Sequence, residues 1–279
     1  MREKQENYLS IKFRNLFLET YAATYKGLKV YFRYPAWVIS DVVATPLWML
    51  MLIIPLLLFL PLEKWRNPCI IRNLYWGMIF WRVISLALWE IGMSIRREQQ
   101  IGTIEYLFLT NANRIVIFSS RVLSSLISLS MEAFYAALII HAFFGVNIEI
   151  NNLPLLVLAL VLSMIFSMGM GAVYGAFVLK IKSPGALSNI LQFILLGFSS
   201  ILIPPSSFPD PINIFVYVNP FSYASDLVKY ASTLYQTMLP VNYELCLLAF
   251  SAITSLVLGL KTLDIVERNN RKKGTLGVY

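Results

Sequence analysis

Charge is what this 279-residue chain has least of: 14% of its residues are charged, while 58% are hydrophobic. A soluble domain carries about a quarter charged residues and somewhat under half apolar ones, so the apolar surplus has no soluble core to fill. Cysteine is equally scarce. Cys69 and Cys246 stand far apart and form no CxxC pair, which excludes a disulfide framework and a thiolate metal site. The single histidine, His141, near the end of an apolar run, excludes a His-based metal cluster and reads as a structural residue. No GxxxxGK[ST] loop occurs, so this chain does not cradle nucleotide phosphates by that motif. The net charge of +8 comes without a compact Lys/Arg patch interleaved with aromatics, which argues against a nucleic-acid partner.

What the chain has instead is long apolar runs. About 20 residues at ~1.5 Å rise cross a hydrocarbon layer of ~30 Å. With no water to satisfy backbone groups, such runs must be helices or a closed barrel. The period-2 alternation of a barrel is missing. The runs therefore predict an all-α membrane protein. Its membrane domain covers 37–262, with six transmembrane helices at about 37–60, 74–93, 115–144, 153–179, 186–203 and 244–260. Between spans five and six, 204–243 carries Pro204, Pro205, Pro209, Pro211, Pro220 and Pro240 among many apolar residues. It is too broken for a span and too apolar for a solvated loop, and reads as an outer re-entrant helical hairpin.

Residues 1–36 lack the apolar core and small-residue cleavage site of a leader peptide. Leu9, Phe13, Leu16, Phe17, Tyr21, Tyr25, Leu28 and Phe32 recur at spacings of three and four, with Lys12, Glu19, Lys26, Lys29 and Arg33 opposite. That pattern predicts an amphipathic interfacial helix on the cytoplasmic side, ending at Tyr34-Pro35. Orientation follows from the Lys and Arg count. One side has seven in the N-terminal segment, three in 94–114, two in 180–185 and five from Lys261 onward. The other has three in 61–73, none in 145–152 and one in 204–243. This bias places both termini and the basic tail, 263–279, in the cytoplasm of a cell-membrane protein.

The most informative cytoplasmic stretch is 94–110. Ile101, Ile104, Leu107 and Phe108 form one apolar helical face, with Glu98 and Glu105 on another. Gly102-Thr103 interrupts the pattern, with Thr103 placed to cap the helical stretch after it. The residue types alone leave two readings open: a cover for the inner mouth of the bundle, or a docking element for a cytosolic partner.

The pattern Glu98-x-x-x-Gly102-Thr103-x-Glu105, an apolar run and then Asn113-Arg114 at the head of a span resembles the ABC type-2 permease family. So does the outward segment Pro204-Pro205-Ser-Ser-Phe208-Pro209, followed by Tyr217-Val-Asn219-Pro220-Phe221-Ser-Tyr223. The chain departs from that family at Thr110-Asn111-Ala112, where a proline usually stands. The resemblance implies a permease subunit of an ATP-driven exporter, a dimer working by alternating access, with no catalytic residues of its own. ATP and Mg would sit on a partner ABC ATPase dimer. It implies ATPase coupling through Glu98, Ile101, Gly102, Thr103, Ile104, Glu105, Leu107 and Phe108, and an outer gate at 204–223 built with Pro205, Phe208, Pro209, Asn219, Pro220 and Tyr223. The cargo reads as apolar or amphipathic, a drug-like molecule or lipid. A polysaccharide exporter of the same family, or an ion-coupled secondary transporter using span charges, is the alternative.

Charges inside the spans include Asp41, Arg82, Glu90 and Glu132, with Arg121 near the inner end of the third span. Charges at such depth are costly and either pair or serve function. Arg82 and Glu132, the deeper two, favour an ion pair between neighbouring spans over contact with cargo. Gly169, Gly171 and Gly175 point to close helix packing.

Overall fold

The computed structural model describes residues 2–59, 61, 65, 67–93, 96, 100, 102, 114–178, 184–202, 209–233 and 236–273. Among these residues every regular element is helical. Helix α1, Arg2–Arg33, stops where Tyr34 precedes Pro35, because a proline ring pushes the residue before it out of the α region. Tyr34 accordingly sits at φ −110°. Pro35 opens α2, Pro35–Leu58, at a position where its missing N–H costs no hydrogen bond. Asn67 opens α3, Pro68–Ser85, by accepting the Cys69 N–H at 3.0 Å.

Helix α3 does not end at Ser85. It widens into a seven-residue π-helical turn, Leu86–Gly92, and the two together make one 25-residue span. Helix α4, Arg114–Phe144, ends at Gly145, whose φ of +68° suits the residue after a helix and whose N–H bonds the His141 carbonyl at 2.9 Å. Asn152 caps α5, Leu153–Val178, accepting from the Leu155 N–H at 3.1 Å. Then come α6, Pro184–Gly197; α7, Asp210–Val218; α8, Pro220–Thr233; and α9, Val241–Lys273.

Helix α5 is the centre of the bundle. It packs most extensively on α9, then on the π turn and α8, while α1 lies along α4. Among the described residues, four helices are long and apolar enough to cross a membrane: Pro68–Gly92, Val122–Phe144, Leu153–Val178 and Val241–Val266. The spans expected at 74–93, 115–144, 153–179 and 244–260 correspond to these. The run expected at 37–60 appears as α2, one continuous helix that contains Pro46 and Pro55. The run expected at 186–203 is a helix only to Gly197. Its 14 residues reach about 21 Å, short of a ~30 Å hydrocarbon layer.

Helix surfaces separate by environment. On α4, Leu123, Ile127, Phe134 and Leu138 are exposed, and on α9 Leu247, Phe250, Ile253 and Leu258 are. Such aliphatic and aromatic stripes suit lipid. The buried core gathers instead along α3, the π turn, α5 and α8.

Candidate functional site

The stretch singled out for partner docking, 94–110, follows the π turn in the chain. Glu98, Ile101, Thr103, Ile104, Glu105, Leu107 and Phe108 fall outside the described residues. Gly102 is described: it is exposed, sits in a turn at φ +76°, and has nothing within 4 Å of where a Cβ would stand. The left-handed backbone there breaks any single helix through 94–110, and only glycine holds it without strain.

At mid-span the structure brings two of the span charges together. Arg82 donates from Nε and Nη2 to Glu132 Oε2 and Oε1 at 2.7 and 2.6 Å, a two-pronged pair between α3 and α4. The Glu132 side chain is 2% exposed, whereas that of Arg82 is 41% exposed. Glu90 lies one further stretch along, on the π turn, and is exposed. Asp41 lies on α2, and its side chain is outside the described set.

Polar side chains also tie the π turn to α6. Trp89 Nε1–H donates to Gln192 Oε1 at 2.7 Å, and Gln192 Nε2 donates to Ser85 Oγ at 2.6 Å. Tyr174 of α5 donates to the Pro184 carbonyl at the start of α6 at 2.7 Å. A π turn leaves backbone groups displaced from the regular ladder, and such turns recur at functional sites.

The opposite end is a cap. Arg72 binds Glu149 at 2.5 Å and the Asn147 carbonyl at 2.8 Å, while Asn151 and Asn152 donate backbone N–H groups to the Ala231 carbonyl, both at 2.9 Å. Asn219 is its central joint. Its Nδ2 donates to the Leu195 and Phe198 carbonyls at 3.1 and 3.2 Å, and its Oδ1 accepts the Phe221 N–H at 3.1 Å. One side chain thus satisfies carbonyls left over at the end of α6 and caps the start of α8. Pro220 opens α8, Pro209 precedes α7, and the Tyr223 hydroxyl donates to the Tyr217 carbonyl. Pro205 and Phe208 fall outside the described residues.

Inside the cap sits a cluster that reading the sequence misses. Asp226 and Lys229 of α8 and Glu244 of α9 are all buried, and Ser200 joins them. Lys229 Nζ donates to the Ser200 carbonyl at 2.7 Å, and the Ser200 hydroxyl donates to Asp226 Oδ1 at 3.3 Å. The N–H groups of Met238 and Leu239 reach Asp226 Oδ2 and Glu244 Oε1 at 3.1 and 2.9 Å. Glu244 Oε2 is buried without a hydrogen-bond partner among the described residues. Burial pushes the Asp226 carboxyl up, with Lys229 acting against that rise. Burial likewise pulls the Lys229 ammonium down to about 8, with Asp226 opposing. The available signal was Asp226-x-x-Lys229, an i,i+3 pair among serines and apolar residues on one short helix.

The family model for the ABC-2 type transporter matches residues 19–231, from within α1 to near the end of α8. The chain belongs to the ABC-2 type transporter family. No curated protein matches the permease. Membership makes it the membrane subunit of an ABC transporter, a transport domain that normally works with an ABC ATPase and is not itself catalytic. The resemblance resting on Glu98-x-x-x-Gly102-Thr103-x-Glu105 and the Asn219-Pro220 segment thus holds at the level of the family.

The Asn219 joint gives the permease a sharp test. Asn219→Ala should cost about 2–3 kcal/mol, from a lost cap and two carbonyls left without their donor. Asn219→Asp is as good a cap residue but donates nothing and sets a charge against those carbonyls. It should lower the thermal unfolding midpoint in detergent at least as far as alanine does. An aspartate variant of native stability would refute the joint's role.

Proposed function

We propose that the permease is the membrane half of an ATP-driven exporter. Two permeases, identical or similar, stand side by side on two ATPase subunits and move an apolar or amphipathic cargo, drug-like or lipid, outward by alternating access. The family match over 19–231 carries this reading. In it the chain crosses the membrane six times with both termini cytoplasmic, and α1 lies in the headgroup plane. Supporting that placement, Phe17, Tyr21, Tyr25 and Phe32 are exposed on α1 beside exposed Lys26, Lys29 and Arg33. The turn after α6, with α7 and α8, forms the outer cap, and α6 is the short fifth crossing that leads to it, its backbone covered by protein rather than by lipid.

Motor and permease meet at 94–110, with Glu98 and Glu105 facing basic or polar groups of the ATPase and the apolar residues filling its cleft. ATP-driven closure of the ATPases shifts the permease between inward and outward states through their different affinity for the two. Co-expression with a candidate P-loop ATPase, followed by co-purification and ATP-driven uptake into inside-out vesicles, tests the reading. Glu98→Lys reverses a docking charge, and Gly102→Pro imposes a φ of about −65° on a residue standing at +76°. Both variants should lose the ATPase on purification and with it the ATP-driven uptake. Unchanged assembly and transport would sink the assignment.

A further inference from the structure

Helix α1 divides lengthwise into three sectors, at about 100° of turn per residue. Thr20, Ala23, Thr24, Gly27, Leu28 and Tyr31 are partly covered, and this sector packs on α4. The seat is close: a Cβ at Gly27 would stand 2.8 Å from the Ser124 hydroxyl oxygen, near the start of the span Val122–Phe144. Next around the helix, Phe17, Tyr21, Tyr25 and Phe32 are exposed within about 80° of one another. The Tyr21 and Tyr25 rings stack at 6.3 Å. Beyond them Lys26, Lys29 and Arg33 are exposed within about 60°. Among the described residues these three cations make no ion pair or hydrogen bond. Glu19, exposed on the same side, stands about 10 Å along the axis before Lys26 and pairs with none of them.

The order of the sectors fixes depth. Aromatic rings seek the acyl boundary, and the basic sector, turned about 110° from them, then stands at the level of the lipid phosphates. The end of α1 is held at that level, because Pro35 opens α2 just after Arg33, and Ile39, Val43, Leu47 and Trp48 are exposed along α2. A lipid surface takes both sectors at once. A protein partner on the basic sector would have to share it with the bilayer that the rings need. Three cations without a counter-ion among the described residues call for net negative charge in that layer. Zwitterionic headgroups carry a cation beside every phosphate and do not supply it.

We propose that Lys26, Lys29 and Arg33 of α1 bind the phosphates of anionic lipids in the cytoplasmic leaflet, with the neighbouring rings set into the acyl boundary. The proposal rests on the placement of α1 in the headgroup plane and adds the lipid class that holds it there. Each lysine or arginine near an anionic leaflet strengthens binding about fivefold. The Arg33 guanidinium adds a planar donor that fits phosphate. Anionic lipid thereby braces the inner end of α4, the helix that follows 94–113 in the chain.

A fluorophore on Ala22→Cys, in the full chain with Cys69→Ser and Cys246→Ser, tests this in phosphatidylcholine nanodiscs without any ATPase. Ala22 is small, exposed and one turn before Lys26. The quenchers are phosphatidylglycerol and phosphatidylcholine, each carrying a nitroxide high on its acyl chain. The anionic lipid should reach equal quenching at about fivefold lower mole fraction. Lys26→Gln/Lys29→Gln/Arg33→Gln should bring the two lipids level without changing the thermal unfolding midpoint in detergent, since the packed sector is untouched. High salt should weaken the preference in the unsubstituted sector. Quenching by neither lipid would put α1 off the membrane and remove its placement together with the proposal. Equal quenching by both before the glutamine substitutions would keep the placement and overturn the lipid class. A triple variant that keeps the preference but no longer co-purifies with the ATPase would assign the cations to that partner, and would overturn the proposal too.

Discussion

Replacing Gly169 with alanine should abolish recovery of the folded permease, although it adds a single methyl group. Helices α5 and α9 make the most extensive contact in the bundle, and they meet backbone to backbone. A Cβ at Gly169 would stand 2.2 Å from the Ser255 carbonyl carbon and 2.4 Å from the Leu256 nitrogen. A Cβ at Gly259 would stand 2.5 Å from the Gly169 carbonyl oxygen, so the two glycines form the two sides of one crossing. Flexible side chains can move aside, but main chain cannot unless the helices separate. Overpacking commonly costs about 1–3 kcal/mol, and a clash with backbone belongs at or above the top of that range. In a membrane, close approach through small residues is itself a principal source of association, so the separation also removes attraction. Gly185→Ala is the control. Nothing lies within 4 Å of its Cβ position and it sits inside α6, so alanine there should stabilise by about 1 kcal/mol or less. Size-exclusion recovery after a heat step separates the two outcomes. Equal recovery of both variants would show that the α5–α9 crossing tolerates an added methyl group and is loosely packed.

The same glycines show how far the sequence could be read. Gly169, Gly171 and Gly175 announce close packing, but a motif of small residues does not name the partner. Residues 169 and 171 point about 200° apart on a helix, and they serve different neighbours. Gly169 meets α9, while a Cβ at Gly171 would stand 2.5 Å from the Ala87 carbonyl of the π turn. The π turn itself was illegible. Leu86-Ala-Leu-Trp-Glu-Ile-Gly92 has the composition of any span, and its extra residue per turn exists only in the backbone hydrogen bonds.

Hydropathy located Arg82 and Glu132 because each is expensive alone in a span, and expense implies a partner. It could not say that Arg82 would be the accessible member. It also ran the fifth span on to Ile203. The apolar run is indeed continuous there, but Ser199 and Ser200 turn the chain, with Ser200 at φ +46°. That conformation costs a non-glycine residue roughly 1–2 kcal/mol. It is held by a hydrogen bond at each of Ser200's two oxygens, to Lys229 and Asp226, so the end of α6 is set by residues far along the chain. Counting Lys229 as one topological charge concealed this.

Lys229→Met should therefore damage the permease more than its place in a short helix suggests. The ammonium is the cation of a buried cluster holding Asp226 and Glu244, and it binds the carbonyl of the strained Ser200 at 2.7 Å. Methionine fills similar space but donates nothing. Removing one member of a buried charged pair commonly costs about 3–5 kcal/mol, because the remaining charge is left without compensation. Here the Asp226 carboxylate is left uncompensated, beside Glu244, which already has one oxygen without a partner among the described residues. The variant should lose most of its folded yield, with the cap opening first, since the Ser200 carbonyl loses its donor from α8 and Asp226, which holds the Met238 N–H, loses its cation. Adding Asp226→Asn should restore part of the loss: the amide still accepts from Met238, and the uncompensated charge is gone. The coupling between the two substitutions, measured as a double-mutant cycle on thermal unfolding in detergent, should be positive and at least about 1 kcal/mol. Strictly additive losses would mean that Lys229 acts on Ser200 alone, and that Asp226 finds its compensation elsewhere in the cap.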